Sequence, residues 1–195
     1  LQNIKYTDPL TKLYNRTALI EEIEKTVDIV TQEEIQKSFV FIDVDRFSKK
    51  VKNTFSITDA DKLLRSLSKA IAKHYDNDNF IARVSDHTFA IISDKHDTAK
   101  LISHAETLCR KVAAHFFEVD QKTIQFTLSI GICLINEATK NSQTLIHHAL
   151  KSVEKLRKER DGNGVDLYRR QTENGDILAS SFKNALKNND FKVLF

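Results

Sequence analysis

The sequence predicts an α/β (α+β) fold, in which helices pack on a mixed, largely antiparallel sheet. Three observations predict it. Short apolar runs of strand length interleave with longer stretches whose apolar residues recur at helical spacing. Two pairs of strand candidates are each joined by only three residues, which makes them hairpins. Apolar residues make up 41% and charged residues 29% of the 195-residue chain, enough for the core of one domain with an appendage.

The elements follow in order. Asp8-Pro9-Leu10-Thr11 reads as a turn. Leu19, Ile20, Ile23 and Val27 place a helix over about 16–30. Phe39-Val40-Phe41-Ile42 is a short apolar run ending in acids, which predicts a central strand over 37–45 with carboxylates at its tip. Leu63, Leu64, Leu67, Ile71 and Ala72 predict a strongly amphipathic helix over 58–75. Residues 80–84 and 88–92 form a hairpin around Ser85-Asp86-His87. A helix is expected over 98–115. Strands follow at 116–119 and 123–135 around Asp120-Gln121-Lys122, the second being the most strand-like segment of all. A helix over 144–159 leads through the turn Asp161-Gly162-Asn163-Gly164 into a strand at 165–168, and a last helix is expected over 175–187.

Composition excludes several classes. One Pro and four Gly argue against long linkers or low-complexity tracts. A net charge of +3, spread along the chain, does not point to nucleic acid. The densest basic run, Lys155 to Arg160, reads as a solvated helix face, with a phosphate or anion site as the alternative. Cys109 and Cys133 read as buried thiols of a reducing compartment. No signal peptide or bilayer-length apolar run is present in the sequence. The chain starts at Leu1 and stops mid-pattern at Phe195, so a fragment of a longer parent is expected.

Chemistry could gather at two places, Asp43-Val44-Asp45 at a strand end and the hairpin tip Ser85-Asp86-His87-Thr88. If those strands are neighbours, Asp43 faces the tip. Paired carboxylates at a strand end can hold Mg²⁺ for phosphoryl chemistry, and such a pair also serves as a cap or turn device; the pattern alone leaves both open. His147-His148 points in two directions on a helix and reads as structural or exposed. No nucleophile triad and no Gly-rich phosphate loop is legible in the sequence.

At these residues the chain resembles the GGDEF (diguanylate cyclase) family over 7 to about 170. Asp8-Pro-Leu-Thr-Lys-Leu-Tyr-Asn-Arg16 is similar to the family's DxLTGLxNR, and Phe41-Ile-Asp43-Val-Asp45-Arg-Phe47 to its FxDxDxF strand. Ala82-Arg83-Val84 precedes the name-giving hairpin, Phe89 closes it, and Thr127-Leu-Ser129-Ile-Gly131 matches the SxG strand. The resemblance implies a five-stranded nucleotidyl cyclase-like sheet. The tail, from Leu178 through Phe182 and Leu186 to Phe195, resembles the lead-in to an EAL domain. Domains are thus expected at 1–170, a degenerate GGDEF domain, and 171–195, a linker helix and the first residues of an EAL domain.

Against the family pattern, this chain has lost its ligand positions. Where active members carry Gly-Gly-Asp/Glu-Glu-Phe, it carries Ser85-Asp86-His87-Thr88-Phe89. Glycines would allow positive φ and close approach to phosphates, whereas Asp86 adds a negative charge there. His87 replaces an acidic metal ligand and is a poor Mg²⁺ donor. Val51 and Ala60 stand where guanine-binding Asn and Asp are expected, and Asp76-Asn77-Asp78-Asn79 replaces the inhibitory RxxD. Lys158 is a candidate phosphate contact and Asp43 a candidate metal ligand.

The resemblance then implies a catalytically inactive regulatory or docking module, with no cofactor expected beyond residual Mg²⁺. Its losses are similar to those of FimX-type receptors. Expected partners are the neighbouring EAL domain, an unidentified regulatory protein and a second copy in a homodimer. Cyclic-di-GMP is expected to be bound by the parent's EAL domain, in a bacterial cytoplasm, with a polar or membrane-associated placement set by other parts of the parent. The alternatives are a GTP-sensing domain and an atypical active cyclase or metal-dependent phosphotransferase.

Overall fold

The computed structural model describes residues 4–76 and 79–170. The expected helix at 175–187 and the expected start of a second domain lie outside them.

The described chain runs α1 (Arg16–Glu33), β1 (Lys37–Val44), α2 (Phe47–Val51), α3 (Ile57–Tyr75), β2 (Phe80–Arg83), β3 (Thr88–Ser93), α4 (Thr98–Ala114), β4 (Phe117–Val119), β5 (Lys122–Ile124), β6 (Leu128–Ile135), α5 (Ser142–Arg160) and β7 (Gly164–Leu167). Five strands form one sheet in the order β2-β3-β1-β6-β7, and β4-β5 form a separate ribbon. All pairs in the main sheet are antiparallel except β6 with β7. The mixed, mostly antiparallel sheet expected from the sequence is therefore present.

β1 is central because both its faces are apolar. Phe39 and Phe41 pack beneath α1 and α5 with Leu19, Ile23, Ala149 and Val153. Val40, Ile42 and Val44 face the other way, against Leu63, Leu67, Leu108 and Val112 of α3 and α4. Every second residue enters one of two cores, as the strand period requires. Each long helix begins at a side-chain cap. Asn15, Ser56, Asp97 and Asn141 accept from the backbone N–H of Ala18, Asp59, Lys100 and Thr144, satisfying amides that otherwise lack partners.

Two elements differ from the sequence expectation. The single strand over 123–135 is two strands, β5 and β6, in different sheets. Between them Phe126 turns fully inward and stacks on Phe47, with ring centroids 5.2 Å apart. Gln125 donates to the Ala113 carbonyl at 3.1 Å, and Thr127 O accepts from the Asp45 amide at 2.9 Å. The backbone thus leaves the ribbon to reach the main sheet. The short α2 was not expected, since five residues carry too little period to show. It is entered through Arg46, whose φ is 54°.

Candidate functional site

The ladder between β1 and β3 pairs Asp43 with Thr88, and the ladder to β6 pairs Asp43 with Ser129. The end of the central strand and the hairpin tip are thereby adjacent, as the sequence suggested. The tip is also tied down by backbone bonds. Val44 N–H donates to His87 O at 3.1 Å, and Val84 N–H to Thr88 O at 2.8 Å. Arg83 holds the loop from behind, donating to the carbonyls of Ser85 (3.1 Å) and Asp86 (3.0 Å). The same guanidinium lies 3.3 Å from Asp8 Oδ1, while Asp8 Oδ2 closes its own turn on Thr11. Neither Ser85 nor Asp86 is among the residues with positive φ, so the tip turns without the left-handed backbone that glycines would supply.

Asp43 is buried, and both its oxygens are engaged. His87 Nδ1 lies 2.8 Å from Oδ1, and Arg157 Nη2 contacts Oδ2. The hydrogen bond with Asp43 raises the His87 pKa above its ordinary value, against the opposing effect of burial. One carboxylate therefore joins the hairpin, the central strand and the C-terminal turns of α5.

Asp45 points to the same sheet face but is used differently. Thr127 Oγ1 and Ser129 Oγ each donate to it at 2.7 Å, and Asn163 N–H donates at 3.0 Å. Its carboxylate sits so close to the turn after α5 that a Cβ on Gly162 (φ 89°) would lie 2.8 Å from its atoms. Arg46 clamps the same turn by contacting both Asp161 oxygens at 2.5 Å. Of the two readings of the Asp-Val-Asp pattern, Asp45 takes the turn-holding one.

The other candidates are placed as follows. Ser85 and Asp86 are exposed, Thr88 is buried, and Ser85 Oγ lies 2.5 Å from Thr88 Oγ1. Val51 is buried in the core, and Ala60 packs against the same core. Lys158 is exposed on α5, one residue from the side chain that does reach the site. Arg157 is not singled out by the sequence, where it sits in a run of charges. The available signal is its register. Ala149, Val153 and Arg157 recur every four residues, which continues the sheet-facing stripe of α5. Of the span replacing RxxD, Asp76 ends α3 and Asn79 precedes β2; residues 77 and 78 lie outside the described ones.

The donor set tests poorly for Mg²⁺, which wants several oxygens in octahedral array. Around the tip stand the Asp43 carboxylate, already engaged by the His87 imidazole and the Arg157 guanidinium, the exposed Asp86 carboxylate, and the hydroxyls of Ser85 and Thr88.

Comparison with known proteins places this geometry. The sequence profile described as "Diguanylate cyclase, GGDEF domain" matches residues 5–163. The cyclic di-GMP phosphodiesterase PdeR of Escherichia coli is 26% identical over 149 residues, 76% of this chain and 22% of that protein. The probable diguanylate cyclase DgcT of the same organism is 27% identical over 142 residues, 72% of this chain and 31% of its own length. This chain therefore spans between a fifth and a third of those relatives. Among solved structures, the GGDEF domain of DgcB from Caulobacter crescentus, in complex with c-di-GMP, superposes with a TM-score of 0.77 at 19% identity, covering 87% of this chain and 96% of that one. The FimX GGDEF domain from Pseudomonas aeruginosa gives 0.74 at 22% identity, with 84% and 99% covered. These two likenesses establish the fold.

Proposed function

Because the chain belongs to the GGDEF family, whose domains occur in cyclic-di-GMP signalling proteins, we propose that it is a non-catalytic member acting as a regulatory and docking module. The observation that carries this reading is the state of Asp43. Its two oxygens are bonded by His87 and Arg157, so both are already engaged by groups of this chain. A metal bound at Asp43 would have to displace both, and the hairpin tip offers one further carboxylate, the exposed Asp86. The hydrophobic settings of Val51 and Ala60 support the same reading, since neither can bond a purine edge.

In the parent protein the module is proposed to sit beside an EAL domain that binds or hydrolyses cyclic-di-GMP, with residues 171–195 leading into it, and to pass on a signal from a protein partner or a second copy. Among the described residues no helix is long and apolar enough to cross a membrane; a cytoplasmic setting is part of the proposal. The test is direct. The purified chain, incubated with GTP and either Mg²⁺ or Mn²⁺, should form no cyclic-di-GMP by chromatography; sustained turnover would sink the proposal. Calorimetry with millimolar GTP decides the GTP-sensing alternative, which the proposal expects to give no binding heat.

A further inference from the structure

Among the described residues β7 is the last strand of the main sheet and pairs only with β6. Beside its open edge lies a cleft of about 870 Å³, running from α5 past β7 towards α4. None of its lining residues belongs to the hairpin site, and its lining is cationic. Lys151, Lys155, Arg169 and Arg170 border it against a single acid, Asp166. That acid is already held by Lys155 at 2.8 Å. Lys151, Arg169 and Arg170 carry no ion pair among the described residues. The floor includes Ser152, which is 2% exposed and whose hydroxyl has no hydrogen-bond partner among the described residues.

A buried hydroxyl without a partner costs about 1–3 kcal/mol, and three neighbouring cations repel one another. The crowding is felt by His148, whose pKa is lowered first by burial and then by His147, Lys151 and Arg170. Both costs are relieved by one kind of ligand. A carboxylate brings a single charge and would leave two cations unmatched. A phosphate or diphosphate brings two or three charges, and oxygens enough to accept from guanidinium, ammonium and hydroxyl together.

We propose that the cleft at the β7 edge binds a phosphate group of at least two negative charges, with Lys151, Arg169 and Arg170 closing on it and Ser152 Oγ donating to one of its oxygens.

The test uses the whole 195-residue chain, because residues 171–195 follow directly from Arg170. Inorganic pyrophosphate is titrated at fixed ionic strength while amide ¹H–¹⁵N shifts are followed. Saturable shifts are expected at Ser152 and through residues 164–170. Lys151→Glu and Arg170→Glu, both on exposed side chains, should each weaken binding at least about tenfold, and Ser152→Ala about tenfold, for the loss of one charge-assisted hydrogen bond. Lys25→Glu, on the far side of α1, should leave binding unchanged. O-phosphoserine is titrated in parallel. Tighter binding of pyrophosphate identifies a free polyphosphate as the source, and tighter binding of O-phosphoserine a phosphorylated side chain. Shifts that never saturate, or that survive Lys151→Glu and Arg170→Glu, overturn the proposal whatever the outcome of the cyclase assay.

Discussion

Asp43 and Asp45 lie two residues apart on one face of β1, yet their removal should have very different consequences. Asp45 is 5% exposed and accepts three hydrogen bonds. Bonds to a charged acceptor net about 1.5–3 kcal/mol each, and its loss strands the hydroxyl of Ser129, which is itself fully buried, at about 1–3 kcal/mol. These contributions share atoms and do not add, so Asp45→Ala is expected to cost about 3–5 kcal/mol. Asp43 differs because its partners have water to turn to. The side chains of His87 and Arg157 are 30% and 45% exposed. Replacing Asp43 by Asn also removes a charge that burial disfavours, so its cost is about 1 kcal/mol. Equilibrium urea unfolding followed by circular dichroism separates the two. With a slope of about 2 kcal/mol per molar, the midpoint should fall by about 1.5–2.5 M for Asp45→Ala and about 0.5 M for Asp43→Asn. If Asp43→Asn costs as much as Asp45→Ala, or if Asp45→Ala costs under about 1 kcal/mol, the division into a turn anchor and a clamp with solvent-exposed partners is wrong.

Four further outcomes are expected. His87 should titrate above its ordinary value by NMR and drop on Asp43→Asn, which removes the charged hydrogen-bond partner that raises it; its stabilisation is full below pH 6.5 and lost as pH rises through the raised value. His74 and His104 should act in the opposite sense. Their rings stack at 4.0 Å, each Nε2 bonds the other's backbone carbonyl, and burial lowers both pKa values, so stability should fall as pH drops below 6.5, and His104→Gln should flatten that fall in urea midpoints. Lys12 has φ 65°, so Lys12→Gly should stabilise by about 0.5–1 kcal/mol and raise the thermal midpoint by about 1–4 °C. Gly131→Ala would place a Cβ 2.5 Å from the Ala149 carbonyl oxygen, and the same unfolding assay should show a loss of about 3 kcal/mol or more as α5 is pushed off the sheet.

What the sequence could reveal was set by how many residues shared a signal. The helices over α1, α3, α4 and α5 were legible because four or more apolar residues repeat in each. β1 was legible from its doubly buried run. The meeting of Asp43 with the hairpin tip followed from strand neighbours alone. By contrast, the break at Phe126 rests on one ring and a few side-chain bonds to distant residues, so the apolar run 123–135 looks continuous. The separate fates of Asp43 and Asp45 could not be read either. They share a strand face, and only the approach of Asn163 and Gly162 from 118 and 117 residues later tells them apart. Arg157 was hidden by neighbours of its own charge.

The pattern of kept and replaced residues follows a physical division. Asp8 and Arg83 tie the opening turn to the hairpin. Asp45 and Ser129 hold the turn after α5, and Gly131 lets that helix approach the sheet backbone to backbone. Each of these motif residues has a partner inside this chain, and losing it would cost fold stability whether or not a nucleotide ever binds. The resemblance sets Val51, Ala60, Ser85, Asp86, His87 and Thr88 against positions expected in the family to serve ligand atoms outside the chain. Asp43 stands at the boundary. It is the candidate metal ligand of the sequence reading, and in this chain its oxygens are engaged by His87 and Arg157. A buried carboxylate with neither metal nor cation would be costly, so the contacts with His87 and Arg157 lower the cost of keeping this acid buried at the strand end. The double substitution His87→Ala with Arg157→Ala should therefore destabilise the wild-type Asp43 background but leave Asp43→Asn almost unaffected, as urea midpoints would show; additive losses would mean that the two side chains stabilise the fold by contacts other than this carboxylate.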